Sequence, residues 1–247
     1  MSTKFFVVVI GAGPGTGKAA AVRFSKAYPV VLLTRSAESY REGVEEITKA
    51  GGKAIGITAD AADAQSLDTA FETIRRELPD HKLAVAVYNV GGGLKLAPFL
   101  ELKAEDWDAS LANNARGLFI FAQKTIPLLL DSVADAAYPP TLLITGATAS
   151  IRGSARWAAA AAGLNARRAL GQSLAREFGP QGVHVAHAIV DGVIDIPRTK
   201  GYTTVNGGVK DGKISPDAIA DTYWHLHTQH RSAFTQELDI RPFVEKF

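Results

Sequence analysis

The chain contains no cysteine. That excludes a disulfide framework, thiol catalysis and cysteine-ligated zinc, and it fits a cytoplasmic protein. Net charge is also scarce, with 27 Lys and Arg against 25 Asp and Glu, a formal +2. A basic field of the kind that nucleic-acid binding needs is missing. No segment approaches the ~20 consecutive apolar residues of a membrane span. The apolar run Phe5–Ile10 is short and leads into glycines rather than a small-residue cleavage site. It reads as a buried first strand, not as a signal peptide. There is no Pro/Ser-rich linker, no repeat of roughly 20–50 residues, and no Gly-x-Ser-x-Gly elbow of a serine hydrolase.

What is present is a globular composition, 47% hydrophobic and 21% charged, with 23 glycines in 247 residues. This length suits one large domain spanning 1–247. Short β-branched runs occur at Phe5–Ile10, Val30–Thr34, Ala54–Thr58, Leu83–Asn89, Thr141–Thr145, Val183–Val190 and Phe234–Ile240. Between them lie helical stretches at Lys18–Tyr28, Ala37–Ala50, Ala64–Leu78, Ala104–Leu130, Ala155–Phe178 and Ser215–His227. The alternation predicts βαβ crossovers and a doubly wound α/β fold, a mostly parallel seven-stranded sheet with helices on both faces. The runs are apolar on both parities, as strands buried on two faces should be. Asp191–Lys213 is the least regular stretch. It would leave the C-terminal end of the sixth strand, where ligands bind in such sheets, and reads as a loop or lid over a pocket.

The first strand runs into Gly11-Ala12-Gly13-Pro14-Gly15-Thr16-Gly17-Lys18 and then an Ala-rich helix. Glycines there allow a tight turn and a close backbone approach to phosphate, while the helix start offers free N–H groups to the anion. A Walker loop fails at two of its positions, Ala12 and Ala19. Gly11, Gly15, Thr16 and Gly17 suit a dinucleotide turn instead. After the second strand, where NAD enzymes usually carry an acid, stand Arg35 and Ser36. That pair would suit a 2′-phosphate and so NADP(H); the alternative is a solvated Arg at a helix start. Asp60 and Ala61 follow strand three, where Asp60 would reach adenine. Asn89-Val90-Gly91-Gly92-Gly93 follow strand four and would let backbone approach the cofactor.

Taken together, these residues resemble the short-chain dehydrogenase/reductase family over nearly the whole chain, which implies a Rossmann fold. Asn89 with Gly91 resembles its Asn-Ala-Gly motif. Trp107, Asn114 and Gly117 resemble its Trp-(x6)-Asn-x-x-Gly helix, which puts Asn114 in the place of the catalytic Asn. Val190–Ile194 resembles its Pro-Gly loop, with Asp191 in place of Pro and Ile194 beside the cofactor. Ile10 stands where Thr is usual. The departures concentrate in the active site. The family's general acid is Tyr in Tyr-x-x-x-Lys, supported by a Ser. Here the Tyr position is Ala160, the Lys position Leu164 and the Ser position Ala147, and Ile196 stands where a Thr often holds the nicotinamide amide. No Tyr-x-x-x-Lys occurs anywhere in the chain.

Such a pocket cannot deliver the usual proton to an alkoxide. Three readings follow: hydride transfer to an electrophile that needs no tyrosine acid, such as an imine or enone; a non-redox cyclisation or isomerisation in a shaped pocket; or cofactor binding without turnover. The catalytic candidates are Asn114, Thr148 and Asp191. Asp191 could act as an acid or orient an amine, or simply cap the turn that follows. Trp157 reads as a pocket wall or as ordinary helix packing, and Arg152 and Arg156 as solvent- or subunit-facing. His225, His227 and His230 do not make a zinc site, because 225 and 227 point to different helix faces and no strong third ligand is near. No metal is expected. The substrate is expected to be a small molecule. Family resemblance implies a homodimer or homotetramer built through the helices Ala104–Leu130 and Ala155–Phe178.

Overall fold

The computed structural model describes residues 4–92 and 94–246, so Gly93 lies outside the described residues. Its strands are β1 (Phe5–Ile10), β2 (Val30–Thr34), β3 (Ala54–Thr58), β4 (Lys82–Tyr88), β5 (Thr141–Ala147), β6 (His184–Val190) and β7 (Glu237–Ile240). The helices are α1 (Thr16–Ser25), α2 (Ala37–Lys49), α3 (Ala64–Glu77), α4 (Ala104–Leu111), α5 (Gly117–Ser132), α6 (Ala158–Phe178) and α7 (Pro216–His227). Among the described residues the seven strands pair in the order β3-β2-β1-β4-β5-β6-β7, every pair parallel.

The period of two along β1 separates the two cores. Val7 and Val9 pack with Phe24 of α1 and Tyr223 and Leu226 of α7 on one face. Phe6, Val8 and Ile10 meet Leu67 and Phe71 of α3 and Leu118 and Phe121 of α5 on the other. β1 pairs with β2 on one side and β4 on the other, with Val7 opposite both Val30 and Val85. The chain winds outward from β1 to β3 and then crosses back to β4. The loops leaving β1 and β4 therefore diverge, and a crevice opens at their C-terminal ends.

Most boundaries shift by one to three residues from the sequence reading, and three of the differences have a visible local cause. The expected helix Ala104–Leu130 is interrupted by a π turn at Ala112–Arg116. There the amides of Asn113 and Asn114 donate to the carbonyls of Ala109 and Ser110, both at 2.8 Å, and so compete with the helical ladder. Gly117 lets the chain pass β4, because a Cβ there would overlap the Tyr88 hydroxyl. α6 starts at Ala158 rather than Ala155, since Arg156 takes a left-handed φ of 71°. β7 starts at Glu237 because Phe234 instead stacks on His184, with ring centroids 4.3 Å apart.

The stretch after β6 is folded rather than open. Ile194 bridges to Ile214, a 3-10 turn forms at Pro197–Thr199, Asn206 and Gly207 turn the chain through left-handed backbone, and Lys213 pairs with Asp195 at 2.6 Å. Among the described residues no helix is long and apolar enough to cross a membrane.

Candidate active site

The glycine turn after β1 is built for close approach. Gly11 has φ of 79°, and a Cβ there would overlap the Asn89 carbonyl; a Cβ on Gly17 would overlap that of Gly11. Asn89 Nδ2 donates to Gly11 O at 3.0 Å, which fastens the turn to the loop after β4. Around Gly13 the space is open, with nothing within 4 Å of where a Cβ would stand. Lys18 N bonds Gly13 O and Ala19 N bonds Gly15 O. The earlier N–H groups, of Thr16 and Gly17, have no partner among the described residues and line the crevice. With Gly15 as N-cap and no side-chain cap, the helix start is left for an anion. Lys18 is not part of it: its Nζ pairs with Glu42 at 2.7 Å and Glu46 at 3.2 Å on α2.

The crevice has two lobes sharing Gly11, Gly13, Asn89, Val90 and Gly91. The first, about 270 Å³, runs past Arg35, Ser36, Asp60 and Ala61. Thr34 Oγ1 donates to Ser36 O at 2.7 Å, Ser36 Oγ contacts Ser39 Oγ at 3.0 Å, and Asp60 Oδ1 accepts from Ala62 N at 2.9 Å. Arg35 is exposed and, among the described residues, makes no ion pair or side-chain hydrogen bond.

The second lobe, about 490 Å³, carries Gly15, Thr16, Gly17, Asn114, Thr145, Leu164, Arg167 and Ile194. Asn114 sits in the π turn, buried, with its amide on Ser110 O. Gly163 permits this, since a Cβ there would overlap Ser110. Arg167 is the residue that sequence reasoning missed. It is 3% exposed. Its Nη1 donates to Thr145 O and its Nη2 to Val90 O, both at 2.7 Å, and the guanidinium lies over the Tyr88 ring, 5.0 Å from its centroid. Burial pushes its pKa down, and burial likewise pushes the Tyr88 hydroxyl up to about 12. That hydroxyl donates to Asn113 O at 2.6 Å and so fixes the π turn. Its place in the helix gives a partial signal: Arg167 lies three residues after Leu164, on the face of α6 that buries Ala160, Gly163, Leu164 and Gly171.

Leu164 and Ala147 line the second lobe, whereas Ala160 is wholly buried. Ala147 also borders a third cavity of about 380 Å³, which holds Thr148, Trp157, Arg152 and Asp191. The structure therefore brings the eleven cofactor-binding candidates and Asn114 to one crevice, and places Thr148 and Asp191 next door. Thr148 Oγ1 donates to Asp191 Oδ1, and Arg241 Nη2 lies 3.3 Å from Oδ2. A carboxylate so held is an acceptor, suited to orienting a donor rather than giving a proton. Among the described residues no backbone N–H of the following turn bonds it, so it is not a cap. Arg152 and Arg156 are exposed.

The histidines are dispersed. His225 is exposed, His230 contacts Ser232, and buried His227 lies between Tyr28 and Thr141, 3.0 Å from each hydroxyl. No cluster able to hold a metal exists among the described residues.

Known proteins agree with this architecture. Short-chain dehydrogenase/reductase eriH of Hericium erinaceus is 30% identical over 207 residues, covering 81% of this chain and 79% of that protein. A crystal structure of a short-chain dehydrogenase from Rhodopseudomonas palustris is 29% identical with a TM-score of 0.80, covering 97% of this chain and 99% of that one. A metagenomic short-chain oxidoreductase, crystallised in complex with NADP, has the same fold at 24% identity and a TM-score of 0.79, covering 98% and 99%. Residues 6–204 match the short chain dehydrogenase family, and the chain belongs to it.

Proposed function

We propose that this chain binds NADP(H) and is an oxidoreductase acting on a small organic molecule by hydride transfer to an electrophile that needs no tyrosine acid, an imine or an enone. The observation that carries the reading is the pairing of an intact phosphate cradle with an altered catalytic wall. Gly11, Gly15 and Gly17 leave room for phosphate at the start of α1. Arg35, without an ion pair among the described residues, borders the first lobe, where a 2′-phosphate would sit beside Ser36. Asp60, Ala61, Asn89, Gly91 and Ile194 would hold the rest of the cofactor, which supplies the hydride when bound. The NADP complex of the metagenomic relative supports the choice of dinucleotide.

On the catalytic wall the family's Ser, Tyr and Lys positions are Ala147, Ala160 and Leu164. The residues left are Asn114, which shapes the floor through the π turn, and Thr148 with Asp191, which face the adjoining cavity and would orient the substrate. Ala147 is the wall common to both cavities, so substrate in one would adjoin cofactor in the other.

Titration calorimetry with NADPH and NADH tests the reading. NADPH should bind in preference, and R35E should remove that preference while leaving NADH binding unchanged. Absence of any dinucleotide binding at millimolar concentration defeats the proposal. Transfer of a deuterium label from the nicotinamide to candidate acceptors then separates turnover from a non-redox isomerase or a cofactor-binding protein that does no chemistry.

A further inference from the structure

The second lobe holds a buried cation, Arg167, with no anionic partner among the described residues. The guanidinium of Arg167 is ringed by the carbonyls of Thr145 and Val90, with that of Asn113 at 3.4 Å. Among the described residues no carboxylate lies within ion-pair distance of it. Its Nε is buried without a partner. The aromatic face of Tyr88 attracts it but carries no net charge, because burial keeps that phenol protonated far above neutrality. Arginine does not give up its proton in proteins, so the positive charge persists. An uncompensated charge in a low-dielectric site acts strongly on whatever enters beside it.

On the NADP(H) reading, Arg35 and Ser36 take the phosphate-bearing end of the cofactor in the first lobe. The nicotinamide ring then belongs to the second lobe, which Arg167 lines. That ring is neutral when reduced and cationic when oxidised. We infer that Arg167 sets the charge preference of this lobe, so that the chain holds the reduced dinucleotide more tightly than the oxidised one. The inference rests on the cofactor reading above but is separable from it. It concerns the ratio of two affinities rather than their existence. The same charge opposes a cationic acceptor, so of the two electrophile classes it favours the neutral enone over a protonated imine.

The test is calorimetric titration of the whole chain with NADPH and with NADP+, repeated for R167K and R167Q. Lysine keeps the charge; glutamine is neutral and still carries N–H donors for the Thr145 carbonyl. The unaltered protein should favour NADPH by on the order of ten-fold, the size expected for a unit charge felt across a partly buried site. R167K should keep that ratio, and R167Q should lose most of it. If both dinucleotides bind with the same ratio in the unaltered protein and in R167Q, the inference is overturned and the cofactor reading stands. If neither binds the unaltered protein, both are overturned. Should R167Q fail to fold, which circular dichroism will show, the unaltered protein still decides: equal affinities or a preference for NADP+ overturn the inference.

Discussion

Asp191 and Arg241 form an ion pair, with Oδ2 and Nη2 3.3 Å apart, at the end of β6 where the family's loop begins. Asp191 N also donates to Ile240 O at 2.8 Å, so both backbone and side chain tie this residue to the segment at β7. Thr148 donates to the other carboxylate oxygen. The expected result of D191N is a lower denaturation midpoint, with a similar but smaller loss for T148V. Urea unfolding of D191N, R241M and the double variant checks it. The double variant should lose less than the two single losses together, because both singles remove the Asp191–Arg241 pair, although R241M also removes the contact of Arg241 with Asp239. Full additivity would mean that the pair is idle.

The buried histidines make folding sensitive to acid. Thr141 Oγ1 donates to Pro139 O at 2.7 Å, so His227 Nδ1–H must donate to Thr141 and Nε2 must accept from Tyr28. A second ring proton, on Nε2, would force the Tyr28 hydroxyl from donor to acceptor. Burial pushes the pKa of His227 down to about 3, and burial also lowers those of His184 and His187. A group depressed in this way binds more protons in the unfolded chain, so its stabilisation is full above about pH 6.5 and is lost as pH falls toward the folded value. Unfolding free energies measured between about pH 7 and pH 4 should decline by up to ~1.4 kcal/mol per pH unit for each such histidine. H227Q should make the decline shallower. A flat profile would contradict the burial of these imidazoles in neutral form.

Two glycines in one turn should respond oppositely. A Cβ on Gly17 would overlap the Gly11 carbonyl, backbone that cannot swing aside. G17A should therefore lower stability by about 1–3 kcal/mol, as overpacking does. Nothing lies within 4 Å of a Cβ on Gly13, which borders both lobes of the crevice. G13A should fold normally and bind NADPH more weakly, since the methyl group would occupy the open space at the phosphate cradle. Thermal melts and titration of the two variants separate the effects.

The layers of the fold were legible because β1, β2 and β4 are buried on both faces and read as continuous apolar runs. The glycine turn was legible for a similar reason: Gly11 and Gly17 answer local backbone demands that only glycine meets. The π turn was not, because it depends on which carbonyls the Asn113 and Asn114 amides find in three dimensions. Arg167 was hidden for the opposite reason. An Arg followed directly by a second, Arg168, reads as part of a solvated face, and its carbonyl partners, Thr145 and Val90, lie 22 and 77 residues away in sequence. Asp191 was singled out as an acid or an amine-orienting group, but Arg241, which makes it an acceptor, lies at the far end of the chain.

Leu164 and Arg167 line the same lobe one helical turn apart, and this sets the outcome of restoring the family's lysine. L164K would bring a second cation beside a buried one that already lacks an anion among the described residues. Like charges so close repel, and neither could be solvated well, so the single variant should be destabilised by about 1–3 kcal/mol. L164K with R167L moves the cation back by one turn and removes the repulsion. That double variant should recover part of the loss and keep the preference for NADPH over NADP+. Chemical denaturation of the two variants, followed by titration with both dinucleotides, distinguishes a requirement for one positive charge in this lobe from a requirement for arginine itself. If L164K alone is as stable as the parent chain, the lobe tolerates both charges and the crowding argument fails.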